Sequence, residues 1–208
     1  MFVKLNFMAT PVTHLFFADK FCDKYPEIER FPFFAWNCLP DIRYIDKDIS
    51  RAKFHVKDIS IDNVFEEDLD FWKGVRFHSF VDENRDYFYE NHWIYKPGVS
   101  DWVFIYSLKV LEDDLLYSHL SFRQDFIKFF LEYQFPVEDI NDASIKKWKE
   151  ILCDYFSLQP NKSSRRNFVL WVWLNENLSG QIESMLIELR ENYMKDINDM
   201  IKFLENLM

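Results

Sequence analysis

The sequence contains few glycines, and this scarcity argues against a fold built from β-hairpins. Only three of the 208 residues are glycine, namely Gly74, Gly98 and Gly180. A β-sandwich or β-barrel needs many tight turns with positive φ, which glycine adopts most readily. Hydrophobic residues make up 49% of the chain and aromatic residues 19%, which is enough for a large core and argues against disorder. We therefore expect an all-α fold, a multi-helix bundle.

Positive charge and long apolar runs are also scarce. The formal net charge is −10, so the chain lacks the basic stripe that general nucleic-acid binding requires. It has no run of 18 apolar residues and hence no expected transmembrane segment. Its first 17 residues are broken by Pro11 and His14 and make a poor signal peptide. The three cysteines have no CxxC spacing, which favours reduced thiols and, with the rest, predicts a cytoplasmic protein.

Three widespread catalytic motifs are missing from the sequence. It contains no nucleophile elbow, no glycine-rich phosphate loop and no HExxH. Serine hydrolase, P-loop and zincin functions therefore have no motif support.

A series of helical patterns is present instead. Thr10-Pro11 is typical of an N-cap followed by proline at the first helical position, and it predicts a helix that ends near Pro26. Further helices are predicted over residues 32–39, about 66–90, about 101–134 with a bend allowed, 143–157, 163–178, and from Ser179-Gly180 to the C-terminus. The stretch 41–62 is expected to be rich in loops. We predict a metal-site region (1–135) and C-terminal helices (136–208) that pack on it, within a single domain.

The last predicted helix is amphipathic. Its apolar side chains recur in steps of three and four: Ile182, Met185, Leu186, Leu189, Tyr193, Ile197, Met200 and Leu204. This face fits packing on the chain's own core. The same spacing also fits a homodimer through the C-terminal helix.

The segment GVRFHSFVDENRD contains the clearest candidate for chemistry. His78, Asp82 and Asp86 follow one another at intervals of four residues, so they share one edge of a helix. Imidazole and carboxylate together suit Zn, Mn or Fe, whereas Mg favours carboxylates. The alternative is an ordinary helical ion pair that contributes about 0.3–0.5 kcal/mol. Gly74 lies one turn earlier, where a helical glycine costs about 1 kcal/mol relative to alanine, and this indicates close approach by another helix or a ligand.

Three further residues are weaker candidates when each is taken alone. His14 lies between apolar residues of a predicted helix, where a core histidine is the commoner case. Asp41 follows a proline, as a cap or turn residue does. His55 falls in the irregular stretch and has no predicted position.

Taken in order, these residues resemble a known family. THLFFA, WNCLPDIRY, the later His55 and GVRFHSFVDENRD are similar to the helical motifs of the zinc-dependent phospholipase C family. FHSFVDENRD and EDDLLYSHL also resemble acyl carrier protein phosphodiesterase, one of the HD-type metal phosphohydrolases. Asn37-Cys38 replace the glycine expected before the Pro-Asp pair, and no His-Asp dipeptide occurs. The number of metal ions therefore stays open.

The resemblance implies a metal centre and a set of catalytic residues. The implied ligands of one or two divalent ions (Zn, Mn or Fe) are His14, Asp41, His55, His78 and Asp82. Asp82 would also bridge the ions, and Asp86 or Asp114 would act as general base. The residues expected to contact a phosphate are Arg76, Arg85 or Lys73.

The sequence therefore indicates two alternative functions. The first is a metal-dependent hydrolase of a phosphodiester or phosphomonoester, in which a metal-activated water attacks phosphorus. The alternative is a non-catalytic helical interaction protein with a degenerate or structural metal site. The sequence leaves the phosphate-containing substrate open.

Overall fold

The protein is built from α-helices, as the hydrophobic periodicity predicts. The structure, a computed structural model, describes residues 10–66, 70–92, 94, 102–137, 140–171 and 176–208. Within these residues there is no β-strand, and the α-helices are α1 (Pro11–Lys24), α2 (Arg30–Cys38), α3 (Ile61–Val64), α4 (Asp70–Asn91), α5 (Trp102–Leu116), α6 (Arg123–Glu132), α7 (Asp142–Ser157), α8 (Lys162–Trp171), α9 (Glu176–Asn192) and α10 (Met194–Leu207). The predicted all-α fold is confirmed.

The first helix begins where the sequence predicts. Thr10 has the extended backbone of an N-cap and Pro11 occupies the first helical position. However, the Thr10 hydroxyl does not cap its own helix. The carboxylate of Asp113 in α5 accepts hydrogen bonds from the Thr13 backbone N–H at 2.9 Å and from the Thr10 hydroxyl at 2.5 Å. A residue about a hundred positions away thus caps α1 and fixes it to α5.

Helices α2 and α4 approach each other closely at Gly74. A Cβ atom at this position would lie 2.6 Å from the Trp36 Cβ and 2.8 Å from the Phe33 carbonyl oxygen. Any side chain larger than hydrogen would therefore push the two helices apart. The glycine indicated close approach by either another helix or a ligand, and the structure shows that the close neighbour is a helix, α2.

The irregular stretch before α4 contains short ordered segments. Two 3₁₀-helices cover Leu39–Tyr44 and Arg51–Lys53. Ser60 then caps α3 through a capping box with Asn63. The loop-rich prediction for this stretch holds apart from these single turns, which place Asp41 and His55 beside α4.

Two of the long predicted helices are divided. The segment predicted at 101–134 is two helices, α5 and α6, separated by a 3₁₀ turn at Tyr117–His119 and by Leu120, whose ψ of 64° interrupts the helical path. The predicted last helix is also two, α9 and α10, which separate at Tyr193 (φ −121°). Its predicted start was wrong, because Gly180 lies inside α9. Residues 172–175 of the segment predicted at 163–178 lie outside the described residues.

The amphipathic face predicted near the C-terminus packs on the chain's own core. Six of its eight residues are buried, namely Ile182, Leu186, Leu189, Ile197, Met200 and Leu204. Helix α9 lies along α5, and α10 packs against α4. This face is therefore not available to a second copy, and the homodimer remains a prediction without support from it. The division of the chain at residue 135 also stays a prediction.

The remaining predictions from composition concern thiols and membranes. Cys22, Cys38 and Cys153 are buried and free, in agreement with the predicted reduced state. In the described part of the chain, no helix combines the length and the apolar character needed to cross a bilayer.

Candidate metal centre

The structure brings all five predicted ligands together from four segments of the chain. His14 comes from α1, Asp41 from the first 3₁₀-helix, His55 from the turn after the second, and His78 and Asp82 from α4. Each of these side chains is buried or nearly so, with the imidazole of His78 completely buried. We call these five residues the histidine–aspartate cluster.

Asp82 and His78 lie at the centre of the cluster. The Asp82 carboxylate is 3.3 Å from His14 Nε2, 3.7 Å from His55 Nε2 and 3.4 Å from His78 Nε2. His78 Nε2 also lies 3.8 Å from Asp41 Oδ1, and its ring stacks on that of His14 with centroids 3.8 Å apart.

The ligand atoms form two overlapping groups. His14, Asp41 and His78 make one, and His55, His78 and Asp82 make the other, with ligand atoms within 4.8 Å of one another in each. His78 is common to both. This geometry could hold one cation or two neighbouring cations. His78 and Asp82 on α4 are therefore not an isolated ion pair, because three residues distant in sequence converge on them.

A backbone contact determines which nitrogen of His78 faces the cluster. His78 Nδ1 lies 2.8 Å from the carbonyl oxygen of Asn37. A carbonyl only accepts hydrogen bonds, so Nδ1 carries the proton and Nε2 presents its lone pair to the cluster when the ring is neutral. The Asn37 side chain donates to the His14 carbonyl at 2.9 Å. Asn37 in α2 thus holds α1 and α4 in register.

The position of His55 is set by side chains of α4. The Ser79 hydroxyl accepts a hydrogen bond from the backbone N–H of Val56 at 3.0 Å. The Glu83 carboxylate accepts two more, from Asp58 and Ile59, at 3.1 Å each. These contacts hold the turn that carries His55 over the edge of α4 that carries His78 and Asp82.

Several polar atoms of the cluster are buried without a hydrogen bond. Among the described residues, His78 Nε2, Asp41 Oδ1 and His14 Nε2 have no hydrogen-bond partner. Each such atom costs about 1–3 kcal/mol in a folded protein. Buried polar atoms that converge in this way are what a cation-binding site requires, because the ion supplies the missing interaction.

Burial and neighbouring charges set the protonation of the cluster. Burial lowers the pKa of His14, with a further contribution from His78, and burial lowers the pKa of His55 to about 2. Burial also opposes charge on His78, but Asp82 and Asp41 outweigh it and raise the His78 pKa. Burial opposes charge on Asp82 as well, yet His78 and His14 hold the Asp82 pKa well below its usual range. His14 and His55 are therefore neutral imidazoles, the form that binds metals.

An open cleft of about 750 Å³ reaches the cluster. His55 and Asp82 form part of its wall, and Asp86 lies one helical turn further along α4 in the same wall. Two cationic side chains, Arg51 and Lys57, also line the cleft. A ligand of small-molecule size can thus reach the cluster from solvent.

The predicted phosphate-binding arginines lie elsewhere. Arg85 is fully buried and binds Glu112 through two hydrogen bonds of 2.7 and 2.8 Å. It also lies 3.2 Å from Asp86. Arg76 donates to the Asn63 carbonyl at 2.6 Å and to Glu66 at 3.2 Å. Both arginines bind protein groups and do not line the cleft.

The other two predicted residues are also outside the cleft wall. Asp114 pairs with Arg165 at 3.2 Å and with Arg190, in contacts between α5 and the helices α8 and α9. Lys73 is half-buried near the start of α4, directly before Gly74. Of the predicted general bases, Asp86 borders the cleft and Asp114 does not.

Three basic side chains near the cluster were not predicted from the sequence. Arg51 and Lys57 fall in the irregular stretch, where no periodicity indicates which way a side chain points. Lys109 lies on α5, is only 4% exposed, and has a pKa lowered to about 8 by burial and by Arg85. A signal for Lys109 existed, since a lysine directly between Leu108 and Val110 interrupts an apolar helix.

Comparison with known proteins gives no further guide to this centre. No protein-family model matches the chain, and neither a curated protein nor a solved structure is significantly similar to it.

Proposed function

We propose that the histidine–aspartate cluster binds one or two divalent transition-metal ions and that the protein hydrolyses a phosphodiester or phosphomonoester bound in the adjoining cleft. The observation that carries this proposal is the convergence of five potential ligand side chains, with buried nitrogen and oxygen atoms that make no hydrogen bond, at the wall of an open cleft. Three imidazoles and two carboxylates favour Zn, Mn or Fe over Mg.

The roles of the residues follow from their positions. A divalent ion in such a site lowers the pKa of a bound water to about 7 and offsets charge on phosphate oxygens. His14, Asp41, His55, His78 and Asp82 would hold the ion or ions. Asp86 lies in the cleft wall beside Asp82 and would accept the proton of the attacking water.

The cations of the cleft support a phosphate-containing substrate. The side chains of Arg51 and Lys57 line the cleft, and neither side chain has a hydrogen bond or ion pair with another described residue. An arginine can bind two phosphate oxygens at once, since its planar guanidinium matches their spacing. We therefore assign the phosphate contacts to Arg51 and Lys57 in place of Arg76 and Arg85.

Metal analysis and turnover test the proposal together. Protein purified without chelator should contain one or two equivalents of Zn, Mn or Fe. It should hydrolyse bis(p-nitrophenyl) phosphate or p-nitrophenyl phosphate with Zn or Mn. His78→Ala should lose both properties, whereas His119→Ala, which changes an exposed histidine packed on Phe16, should keep them. Absence of stoichiometric metal would overturn the proposal, and activity that survives in His78→Ala would show that the site lies elsewhere.

A second candidate is a structural metal site in a non-catalytic interaction protein. The specific observation in its favour is burial, because four of the five proposed ligands are at most 4% exposed. Structural metal sites are closed, whereas catalytic sites keep an open position. Metal that raises the melting temperature without turnover of either phosphate ester would favour this alternative.

A further inference from the structure

Lys109 is a buried lysine next to the cluster. Its residue is 4% exposed, and it lines a small cavity together with Asp41, Tyr44 and Tyr106. The cavity has a volume of about 30 Å³, which is close to the volume that one water molecule occupies in the liquid. It therefore has room for about one water molecule or one phosphoryl oxygen.

The ammonium group of Lys109 has no hydrogen bond or ion pair with another described residue. It lies over the face of Tyr106, whose ring centroid is 5.2 Å from Nζ. Lys149, another buried lysine, behaves as expected for such a group: its Nζ donates hydrogen bonds to the carbonyl oxygens of Leu131 and Tyr133. Burying most of a charged side chain without such partners is costly, and a ligand oxygen would supply the missing hydrogen bond.

The charges around Lys109 belong to the metal centre. Asp41 shares its cavity and is one of the proposed metal ligands. Asp82 and Asp86, from the edge of α4 that lines the cleft, also interact electrostatically with the lysine, as does Arg85 with the opposite sign. The ammonium thus interacts electrostatically with these carboxylates without an ion pair to any of them.

We propose that Lys109 contacts the ligand directly, by donating a hydrogen bond to one oxygen of the phosphoryl group that binds at the metal centre. This inference rests on the proposed function. The cavity beside Asp41 would receive that oxygen, which the cavity volume fits. Arg51 and Lys57 would hold the phosphoryl group from the cleft, and Lys109 would contact it from the cavity beside Asp41.

Binding of inorganic phosphate to the metal-loaded protein tests this inference. With Zn or Mn at saturating concentration, Lys109→Met should weaken phosphate binding by about ten- to a hundredfold, the loss expected for one hydrogen bond to a charged group. Its metal stoichiometry should not change. Imidazole, a neutral metal ligand, should bind both proteins alike. Lys149→Met is the matched control for removing a buried lysine, and it should change phosphate affinity by less than about threefold.

The possible outcomes separate the two proposals. Wild-type protein that binds no metal would overturn the proposed function and this inference with it. Wild-type protein that binds metal and phosphate, with equal phosphate affinity in Lys109→Met, would overturn the role of Lys109 alone. Lys109→Gln, which is similar in length and neutral, replaces the methionine variant if that variant does not fold. If neither folds, the charge is a structural requirement and the inference fails.

Discussion

Two buried polar clusters meet helix α1 at adjacent residues, and they differ in how completely they are hydrogen bonded. Thr13 belongs to the first, which we call the Asp113 network and which consists of Thr10, Thr13, Asp113 and Tyr155. His14 belongs to the histidine–aspartate cluster. In the Asp113 network one carboxylate oxygen accepts from Thr10 and Thr13, and the other accepts from the Tyr155 hydroxyl at 2.7 Å.

The difference in hydrogen bonding suggests different roles for the two clusters. A polar network whose groups are all paired fixes helices relative to one another and leaves nothing for a ligand to do. In the histidine–aspartate cluster, by contrast, atoms such as His78 Nε2 and Asp41 Oδ1 have no hydrogen bond within the described residues, and the cluster reaches the wall of a cleft. Burial alone does not distinguish the two clusters, because both are buried. The polar atoms that lack a hydrogen bond do distinguish them.

The same substitution in each cluster should give opposite results, and this is the strongest test of the contrast. Asp82→Asn should reduce metal affinity by more than about a thousandfold, since loss of a ligand exceeds the ten- to hundredfold loss typical of a supporting residue. Asp113→Asn should leave metal affinity within about threefold of wild type. Titration with a fluorescent zinc competitor measures both. Equal losses in the two variants would remove the distinction between the clusters.

The Asp113 network should make folding stability depend on pH. Burial raises the pKa of Asp113 to about 7, whereas the unfolded value is near 3.9. Because the folded state binds the proton more tightly, this group stabilises the fold below about pH 4, and that contribution is lost as pH rises to about 7. The loss amounts to roughly 4 kcal/mol.

Urea unfolding at several pH values, with Asp113→Asn beside wild type, isolates this contribution. The asparagine variant cannot titrate, so its free energy of unfolding should rise relative to wild type by about 4 kcal/mol between pH 4 and pH 7. A difference between the two proteins that stays constant over this range would show that Asp113 is charged throughout.

Asn37 should matter to the metal centre although it is not a ligand. Asn37→Ala removes the hydrogen bond to the His14 carbonyl and loosens the register of α1 on α2. We expect metal affinity to fall by about tenfold. Asn91→Ala removes a similar amide-to-carbonyl bond, to Tyr87 on the exposed end of α4, and serves as the control. A loss of the same size in both variants would mean that the effect is general and not transmitted through His14.

The smallest expected effect is a difference in phosphate binding between Arg51→Met and Arg76→Met. In metal-loaded protein, Arg51→Met should weaken inorganic phosphate binding by about tenfold, because this side chain lines the cleft. Arg76→Met should change it by less than about twofold, because Arg76 is held by Asn63 and Glu66. Calorimetric titration with phosphate distinguishes them. The reverse order would restore the assignment made from the sequence.

The sequence predicted which side chains converge on α4 better than which basic side chains line the cleft, and the reason lies in local geometry. His78 and Asp82 share a helical edge by their spacing alone, and the resemblance placed His14, Asp41 and His55 beside them. Arg85 lies three residues after Asp82, so helical geometry puts it on a neighbouring stripe of the same helix. Whether that stripe faces solvent, a cleft or α5 depends on the position of α5, which no spacing in α4 records.

Helical periodicity predicted some helices closely but missed the breaks between others. It predicted α1, α2, α4 and α7 closely, because capping residues, prolines and apolar spacing agree there. It merged α5 with α6 and α9 with α10, since the breaks at Leu120 and Tyr193 carry no glycine or proline that would mark them. Local signals alone therefore predicted the helices but not every boundary between them.

The sequence by itself determined the helical class, the start of α1 and the shared edge of His78 and Asp82, because these depend on backbone hydrogen bonding and on residues a few positions apart. Only the tertiary structure decided which buried polar groups find partners. Asp113 is paired because Thr10, Thr13 and Tyr155 surround it. The Lys109 ammonium has no hydrogen bond or ion pair among the described residues, although carboxylates of the histidine–aspartate cluster act on it electrostatically. Such pairing depends on distances between elements far apart in the chain, and these are set by packing.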